Sequence, residues 1–264
     1  MTAVASPAIA CEGVTVAFGD FVALRNVSLA FAPGRLAALI GPNGAGKTTL
    51  INVLSGQIRP TAGRVLLGGR DVTRLAPHAR ARTGLGRSFQ IVTIFPEMTV
   101  MENLRLGAQA RAFGLQPFWR AVDGWRALRE RAEACAETVG LAAKLHSPAG
   151  SLSHGEQRAL ELGLTLTTDP AVLLLDEPLA GVGHSEIDRS VALIERVRQG
   201  RTVLLIEHNM DVVMSISDEV VVMTGGELLA RGTPAEMRAD ARVRAGYLGD
   251  RQPAGQPMGR TAYA

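Results

Sequence analysis

Residues 41–48 of this chain read Gly-Pro-Asn-Gly-Ala-Gly-Lys-Thr and fit the pattern G-x-x-x-x-G-K-[ST]. The apolar run 36–40 before them predicts a short buried strand, and residues 48–54 after them predict a helix. A glycine-rich loop between a strand and a helix points backbone N–H groups and the positive end of the helix dipole at phosphate oxygens. A chance match among 29 glycines would not bring the strand and the helix with it. The segment therefore predicts a nucleoside-triphosphate site.

The loop supplies two side chains with distinct roles. Lys47 brings a full positive charge to the β- and γ-phosphates, and Thr48 places a hydroxyl where a Mg²⁺ ion would sit. The residues predicted to bind the nucleotide here are Gly41, Asn43, Gly44, Gly46, Lys47, Thr48 and Thr49.

Composition and charge narrow the class of protein further. With 264 residues, 47% of them hydrophobic, the chain can form one large domain or two small ones. Its apolar stretches are strand-sized and its N-terminus lacks a secretory signal, so we expect a cytosolic protein. Cys11 and Cys135 do not indicate a disulfide framework. A net charge of +3 gives no argument for nucleic acid as a partner.

Strand and helix signals change along the chain. A strand-rich beginning is followed by a helical middle from 99 to about 145, in which Pro117 and Gly124 are expected to separate at least two helices. Later segments are expected to be helix 153–167, strand 171–175, helix 185–198, strand 202–206, a hairpin of 220–224 with 227–230, and a disordered tail 250–264. This alternation predicts an α/β fold with a parallel-centred sheet, to which an antiparallel beginning and a helical middle are added.

A second motif lies at residues 171–178, which read Ala-Val-Leu-Leu-Leu-Asp-Glu-Pro. A buried apolar strand that ends in Asp176 places a carboxylate beside the phosphate loop, where it can hold Mg²⁺ directly or through water. Glu177 then lies at the exit of the strand, positioned to polarise a water for in-line attack on the γ-phosphate. Adjacent carboxylates before a helix often act as caps, but the apolar run and the upstream loop favour the catalytic interpretation.

A third motif is Leu-Ser-His-Gly-Glu-Gln at residues 152–157. With it, the order of motifs over nearly all of residues 7–249 resembles that of the ATP-binding-cassette (ABC) ATPases. The resemblance implies a P-loop NTPase with a RecA-like parallel-centred sheet, an antiparallel β subdomain and a helical subdomain at about 99–168. It implies ATP and Mg²⁺ as cofactors, and Ser153 and Gly155 as ligands of an ATP held by an opposite subunit. His154 and Glu156 depart from the usual glycine and glutamine.

Other site residues are placed by the resemblance alone. Gln90 matches a glutamine that senses Mg²⁺ and the attacking water, and His208 matches a histidine that contacts the γ-phosphate. Phe18 matches the aromatic residue that stacks on adenine, with Val22 able to flank the same ring. Gly183 replaces an aspartate that couples the two sites of a pair. The predicted catalytic residues are thus Glu177, His208 and Gln90, and the predicted Mg²⁺ ligands are Thr48, Gln90 and Asp176.

The segments 84–90, 95–104, 206–214 and 227–236 resemble the ATPase subunits of branched-chain amino acid importers. An insertion after Leu104 resembles the longer of the two ATPase subunits in such systems. The resemblance therefore implies a heterodimer with a shorter paralogue, or else a homodimer, bound to transmembrane permease subunits and served indirectly by a solute-binding protein. It places the chain peripherally on the cytoplasmic face of the inner membrane. The alternatives are an importer of urea, amides or another small polar solute, and a non-transport ABC ATPase.

Three further features have open interpretations. The apolar cluster 91–95 is either core or the lining of a groove that receives a short helix of a membrane subunit. The arginines within 80–87 are expected to form a solvated face, or to approach anionic lipid headgroups. The aromatic residues of the insertion are expected to pack within the helical subdomain, and they are Phe118, Trp119 and Trp125.

Overall fold

A computed structural model gives the architecture of the chain. It describes residues 6–88, 94–112, 121–183 and 186–244, excepting the side chains at 110–112 and 121–125. Several predictions lie outside the described residues, and they concern Gln90, most of the cluster 91–95, Pro117, the three aromatic side chains of the insertion and the tail 250–264.

The elements alternate in type after an initial run of strands. The strands are β1 (Ile9–Phe18), β2 (Phe21–Phe31), β3 (Leu36–Ile40), β4 (Ala62–Leu67), β5 (Arg70–Asp71), β6 (Leu85–Arg87), β7 (Val172–Asp176), β8 (Thr202–Ile206), β9 (Glu219–Thr224) and β10 (Glu227–Gly232). The helices are α1 (Lys47–Ser55), α2 (Pro77–Arg82), α3 (Val100–Ala112), α4 (Ala121–Thr138), α5 (His154–Leu166), α6 (Ile187–Val197), α7 (Met210–Ile216), α8 (Pro234–Ala239) and α9 (Ala241–Val243).

The larger sheet has six strands in the order β10-β9-β3-β8-β7-β6. All neighbours pair in parallel except β10, which closes one edge as an antiparallel hairpin with β9. Every residue of β3, β7 and β8 is buried, as expected for parallel strands covered on both faces. Because these three strands are neighbours, the residues that follow their carboxyl ends meet at one edge of the sheet. In parallel α/β sheets that edge is where ligands bind.

The smaller sheet is antiparallel, with the order β2-β1-β4-β5. Apolar residues of β1 and β2 pack against α1, which carries the phosphate loop, and they include Val16, Leu24 and Phe31. The predicted α/β fold with an added antiparallel subdomain is confirmed.

The helical middle consists of α3, α4 and α5, which pack on one another. Two helices separate as predicted, but Gly124 lies inside α4 and does not end a helix, so that part of the prediction was wrong. A glycine in a helix interior costs only about 1 kcal/mol relative to alanine. In α4 this cost is opposed by two ion pairs with i, i+4 spacing, Arg126–Glu130 at 2.8 Å and Arg129–Glu133 at 2.9 Å.

The prediction that the arginines within 80–87 form a solvated face was wrong for two of them. Arg80 is fully buried and donates to the carbonyl oxygens of Val53 (2.6 Å) and Leu54 (2.7 Å), in the last turn of α1. Carbonyls in the last turn of a helix lack the usual i+4 partner, and that of Val53 otherwise accepts from the N–H of Gly56 at 3.1 Å. The guanidinium therefore completes their hydrogen bonding and fixes the end of α1. Arg87 is also largely buried, with a side chain 10% exposed, for a reason that belongs to the site.

Candidate active site

The phosphate loop joins β3 to α1, as predicted from the sequence. Gly46 caps α1 in the left-handed conformation with φ 95°. A Cβ atom there would lie 2.9 Å from the carbonyl oxygen of Ala23, and one at Gly41 would lie 2.2 Å from that of Met223. Neither approach is compatible with a side chain. These two glycines are therefore required by the contact of the loop with β2 and β9 as well as by its turn.

Lys47 lies at the first position of α1 and is only 6% exposed. Its Nζ donates to the carbonyl oxygens of Gly41 at 2.7 Å and Pro42 at 3.0 Å, within its own loop. Burial lowers the pKa of Lys47, while the carboxylates of Glu177 and Asp176 act in the opposite direction. The ammonium is thus held at the base of the loop, close to the two acidic residues that the sequence places in the site.

A cavity over the loop brings most of the predicted residues together. Its lining includes Asn43, Gly44, Gly46, Lys47, Thr48, Thr49, Glu177 and His208 from the predicted set. Gly41, the first residue of the loop, packs against the backbone of Met223 and does not line the cavity. The lining also excludes Phe18, Asp176, Ser153 and Gly155.

The aromatic residue in this lining is Phe21, which the sequence prediction missed. Phe18 and Phe21 face each other across the β1–β2 turn and both are exposed, by 53% and 66% of their surfaces. Phe21 lines the cavity together with Ala23, two residues further along β2. Residues with alternate spacing on a strand share a face of the sheet. The sequence signal was available, because Phe21 directly follows the turn at Gly19 and Asp20.

Replacement of Phe21 by alanine is expected to weaken ATP binding about tenfold, since stacking of a base on an aromatic ring contributes about 1–3 kcal/mol. Titration with a fluorescent ATP analogue measures the affinity, and Phe18→Ala is the matched variant from the same turn. A loss confined to Phe18→Ala would return the base-stacking role to the residue predicted from the sequence.

Asp176 ends β7 and is buried beside Arg87. The Nη2 atom of Arg87 donates to Asp176 Oδ2 at 3.0 Å, and its Nη1 atom donates to Asn52 Oδ1 (2.7 Å) and Ser55 Oγ (2.9 Å) of α1. Arg87 therefore fixes the carboxylate to the helix of the phosphate loop. Asp176 Oδ1 is buried without a hydrogen-bond partner among the described residues. An acceptor oxygen left open in this way suits a hard cation such as Mg²⁺.

Glu177 follows β7 in a backbone conformation that is rare for residues other than glycine, with φ 51°. This conformation costs roughly 1–2 kcal/mol for an L-residue, and such outliers cluster at functional sites. The Glu177 N–H donates to the carbonyl oxygen of Ile206 at 3.0 Å, which ties the turn to the end of β8. Its Oε1 atom lies 2.8 Å from Nε2 of His208. Two residues predicted separately thus form a hydrogen-bonded pair.

Glu207, between β8 and His208, is a buried residue that the sequence prediction missed. Its carboxylate accepts from the backbone N–H of Leu179 at 2.7 Å and from that of His208 at 3.0 Å. Burial raises the pKa of Glu207, and the hydrogen bonds from backbone amides oppose that rise. The only local signal was an acidic residue directly after an apolar strand, the same signal that singled out Asp176.

The signature segment caps α5. Ser153 Oγ accepts from the N–H of Glu156 at 3.4 Å, and Glu156 Oε2 accepts from the N–H of Ser153 at 3.1 Å. This reciprocal pair is a capping box, in which glutamate and glutamine are both effective. Lys144 donates to the same carboxylate at 2.8 Å, and this hydrogen bond lowers the pKa of Glu156. The departure from glutamine at position 156 is therefore accommodated by local contacts.

The geometry defines a class of protein. The phosphate loop follows β3 and the Asp–Glu pair follows β7. The histidine comes after β8, the strand between them in the sheet. These are the parts of a P-loop nucleoside triphosphatase. A family model described as ABC transporter matches residues 24–180. This chain belongs to that family, as an ATP-hydrolysing cassette. A second model, described as branched-chain amino acid ATP-binding cassette transporter, matches residues 227–252.

Relatives of the whole cassette were found among characterised proteins. The high-affinity branched-chain amino acid transport ATP-binding protein BraF of Pseudomonas aeruginosa is 42% identical, with 92% of this chain and 98% of BraF covered. LivG of Escherichia coli, which carries the same description, is 39% identical with the same coverage. The Fe(3+) ions import ATP-binding protein FbpC of Brucella abortus is 36% identical, but only 64% of FbpC is covered.

Solved structures agree with the fold. MJ1267, an ATP-binding cassette of an ABC transporter, superposes with a TM-score of 0.79 at 30% identity, covering 92% of this chain and 99% of that one. Within the described ranges, every helix is either too short or too polar to cross a membrane.

Proposed function

We propose that this chain is the ATPase subunit of an importer for branched-chain amino acids and acts through separate permease subunits. The observation that carries the proposal is the 42% identity to BraF, over 92% of this chain and 98% of that protein. The family match at residues 227–252 supports the same cargo. The identity to FbpC, which is named as an iron importer, is lower and covers a smaller share of that relative.

Hydrolysis at this site would depend on positioning and charge, because phosphoryl transfer asks for little covalent chemistry from the protein. Lys47 and the N–H groups of the phosphate loop would neutralise the β- and γ-phosphates. Glu177 would accept a proton from the attacking water. His208, 2.8 Å from Glu177, would orient that carboxylate and reach the γ-phosphate.

The residues present fit a Mg²⁺ ion. Asp176 offers a buried oxygen without a partner among the described residues, and Thr48, a residue with a hydroxyl group, lines the cavity. We propose these two as the residues that would hold the ion, with Gln90 added by the family resemblance. When bound, Mg²⁺ neutralises charge on the phosphates during transfer.

The site is proposed to be completed by a second cassette. Ser153 and Gly155 do not line the cavity of their own phosphate loop, which supports a role toward the ATP of a partner. We propose a cassette spanning 7–249, with a helical subdomain at about 99–168, that pairs with a shorter paralogue. The pair would lie on the cytoplasmic face of the membrane, held by the permease subunits.

Reconstitution tests this function. The chain is expected to co-purify with the permease subunits of its importer, and proteoliposomes of the complex should take up radiolabelled leucine in the presence of ATP and a solute-binding protein. The same vesicles assembled with Glu177→Gln serve as the control and should take up none.

Other outcomes would select the alternatives. Uptake of urea or of a short amide, with no uptake of leucine, would replace the cargo and keep the transporter. ATP hydrolysis that is raised by DNA and unchanged by the permease subunits would identify a non-transport ATPase.

A further inference from the structure

The carboxylate of Glu207 is the most buried acidic group at the edge of the sheet that carries no role in the function proposed above. It directly follows β8 and is only 3% exposed. Its two oxygens are used separately. Oε1 accepts from the N–H of Leu179 at 2.7 Å, and Oε2 accepts from the N–H of His208 at 3.0 Å.

These hydrogen bonds join two chain segments that meet at Glu177. Leu179 lies two residues after Glu177 and opens the loop that runs to Gly183. His208 contacts Glu177 through its side chain at 2.8 Å, and the Glu177 N–H donates to Ile206 at 3.0 Å. The turn after β7 is therefore fastened to the turn after β8 at three points. Glu207 provides the contact that holds the turn after β7 at Leu179, on the side away from the strand.

The chemistry of these contacts requires a carboxylate. Each hydrogen bond to Glu207 given above comes from a backbone N–H, so both of its oxygens must accept. A glutamine has one acceptor oxygen, and its amide would place an N–H group against one of the two backbone donors. At a buried position, neither the amide nor the backbone donor could turn to water instead.

We propose that Glu207 is a positioning residue, which sets the distance and orientation of His208 relative to Glu177 by holding the backbones of both turns. The proposal rests on the catalytic roles proposed above for Glu177 and His208.

The test compares Glu207→Gln with Glu236→Gln in the full-length chain. Glu236 also accepts a backbone N–H, from Thr233 at 2.7 Å, but in an exposed capping box remote from the site. In complex with the permease subunits, Glu207→Gln should lower kcat for ATP hydrolysis at least tenfold. Its affinity for a fluorescent ATP analogue should stay within twofold of the unsubstituted chain, since Glu207 is not among the residues that line the phosphate loop cavity. Glu236→Gln should change neither quantity.

A second variant keeps the test decisive if Glu207→Gln folds poorly. Glu207→Asp retains the charge but is one methylene shorter and cannot reach both amides. It should therefore show an intermediate fall in kcat with unchanged affinity. A kcat within twofold of the unsubstituted chain in both variants would overturn the proposal. Equal losses of kcat and ATP affinity, with a lowered melting temperature, would also overturn it by showing a purely structural role.

The same measurements separate this inference from the function on which it rests. If Glu177→Gln keeps full hydrolysis, the catalytic assignment fails and the role of Glu207 fails with it. If Glu177→Gln is inactive and both Glu207 variants behave normally, only the positioning role is wrong.

Discussion

Glu177→Gln is expected to lower kcat for ATP hydrolysis by about 10²–10⁴-fold, the range that a positioned general base contributes. The amide has the size of the carboxylate but cannot accept a proton from the attacking water. Binding should persist, because Lys47 and the loop backbone are unchanged. In the structure Nε2 of His208 lies 2.8 Å from Oε1 of Glu177. A glutamine can keep this contact, since an imidazole nitrogen can either donate or accept a hydrogen bond. Phosphate release measures kcat, and a fluorescent ATP analogue measures affinity.

Glu236→Gln is the matched control, because it makes the same chemical change on α8 and should leave hydrolysis unaltered. A variant at position 177 that keeps a tenth or more of the activity would remove Glu177 from its assigned role. In that case Asp176 could not simply take the role over, because its Oδ2 atom is paired with Arg87 at 3.0 Å and its Oδ1 atom is the one proposed to hold Mg²⁺. The left-handed backbone at Glu177 would then also lack a functional explanation.

The parts of the fold that were predictable from sequence are those with a local cause. The strands β3, β7 and β8 are apolar at nearly every position, and this pattern is typical of strands buried on both faces. The phosphate loop and the helix start at Ser153 were likewise visible, because their glycines and capping residues act over a few positions.

The errors on the arginines and on Glu207 came from contacts between distant parts of the chain. A run of arginines normally indicates a solvated face, yet Arg80 is buried against carbonyls of α1 that lie 27 and 26 residues away in sequence. Arg87 is held by Asp176, which is 89 residues away. Neither partner can be inferred from a local window, because these contacts form only when distant segments of the chain come together in the fold. Glu207 was missed for the same reason, because its donor on Leu179 is 28 residues away.

The active site shows the same division. Sequence motifs predicted Lys47, Asp176 and Glu177 as site residues, because the proposed chemistry would require them directly after a strand or loop. The motifs did not reveal which groups hold them in place. Arg87 fixes Asp176 to α1, and the pairing of His208 with Glu177 depends on the neighbouring ends of β7 and β8. The residues that position other side chains are therefore the ones whose roles become visible only in the three-dimensional structure.

Lys47→Ala is expected to reduce the affinity for ATP by about 10²–10⁴-fold. Hydrogen bonds from a charged group contribute about 1.5–3 kcal/mol each, and the ammonium can give two of them to the β- and γ-phosphates. Each 1.4 kcal/mol corresponds to about a factor of ten in affinity. The other lysine of this chain, Lys144, provides the matched control, because Lys144→Ala removes the same charge at a contact with Glu156. Isothermal titration with ATP and Mg²⁺ should show a loss for Lys47→Ala alone, and equal affinity in both variants would contradict the assignment of Lys47 to the phosphates.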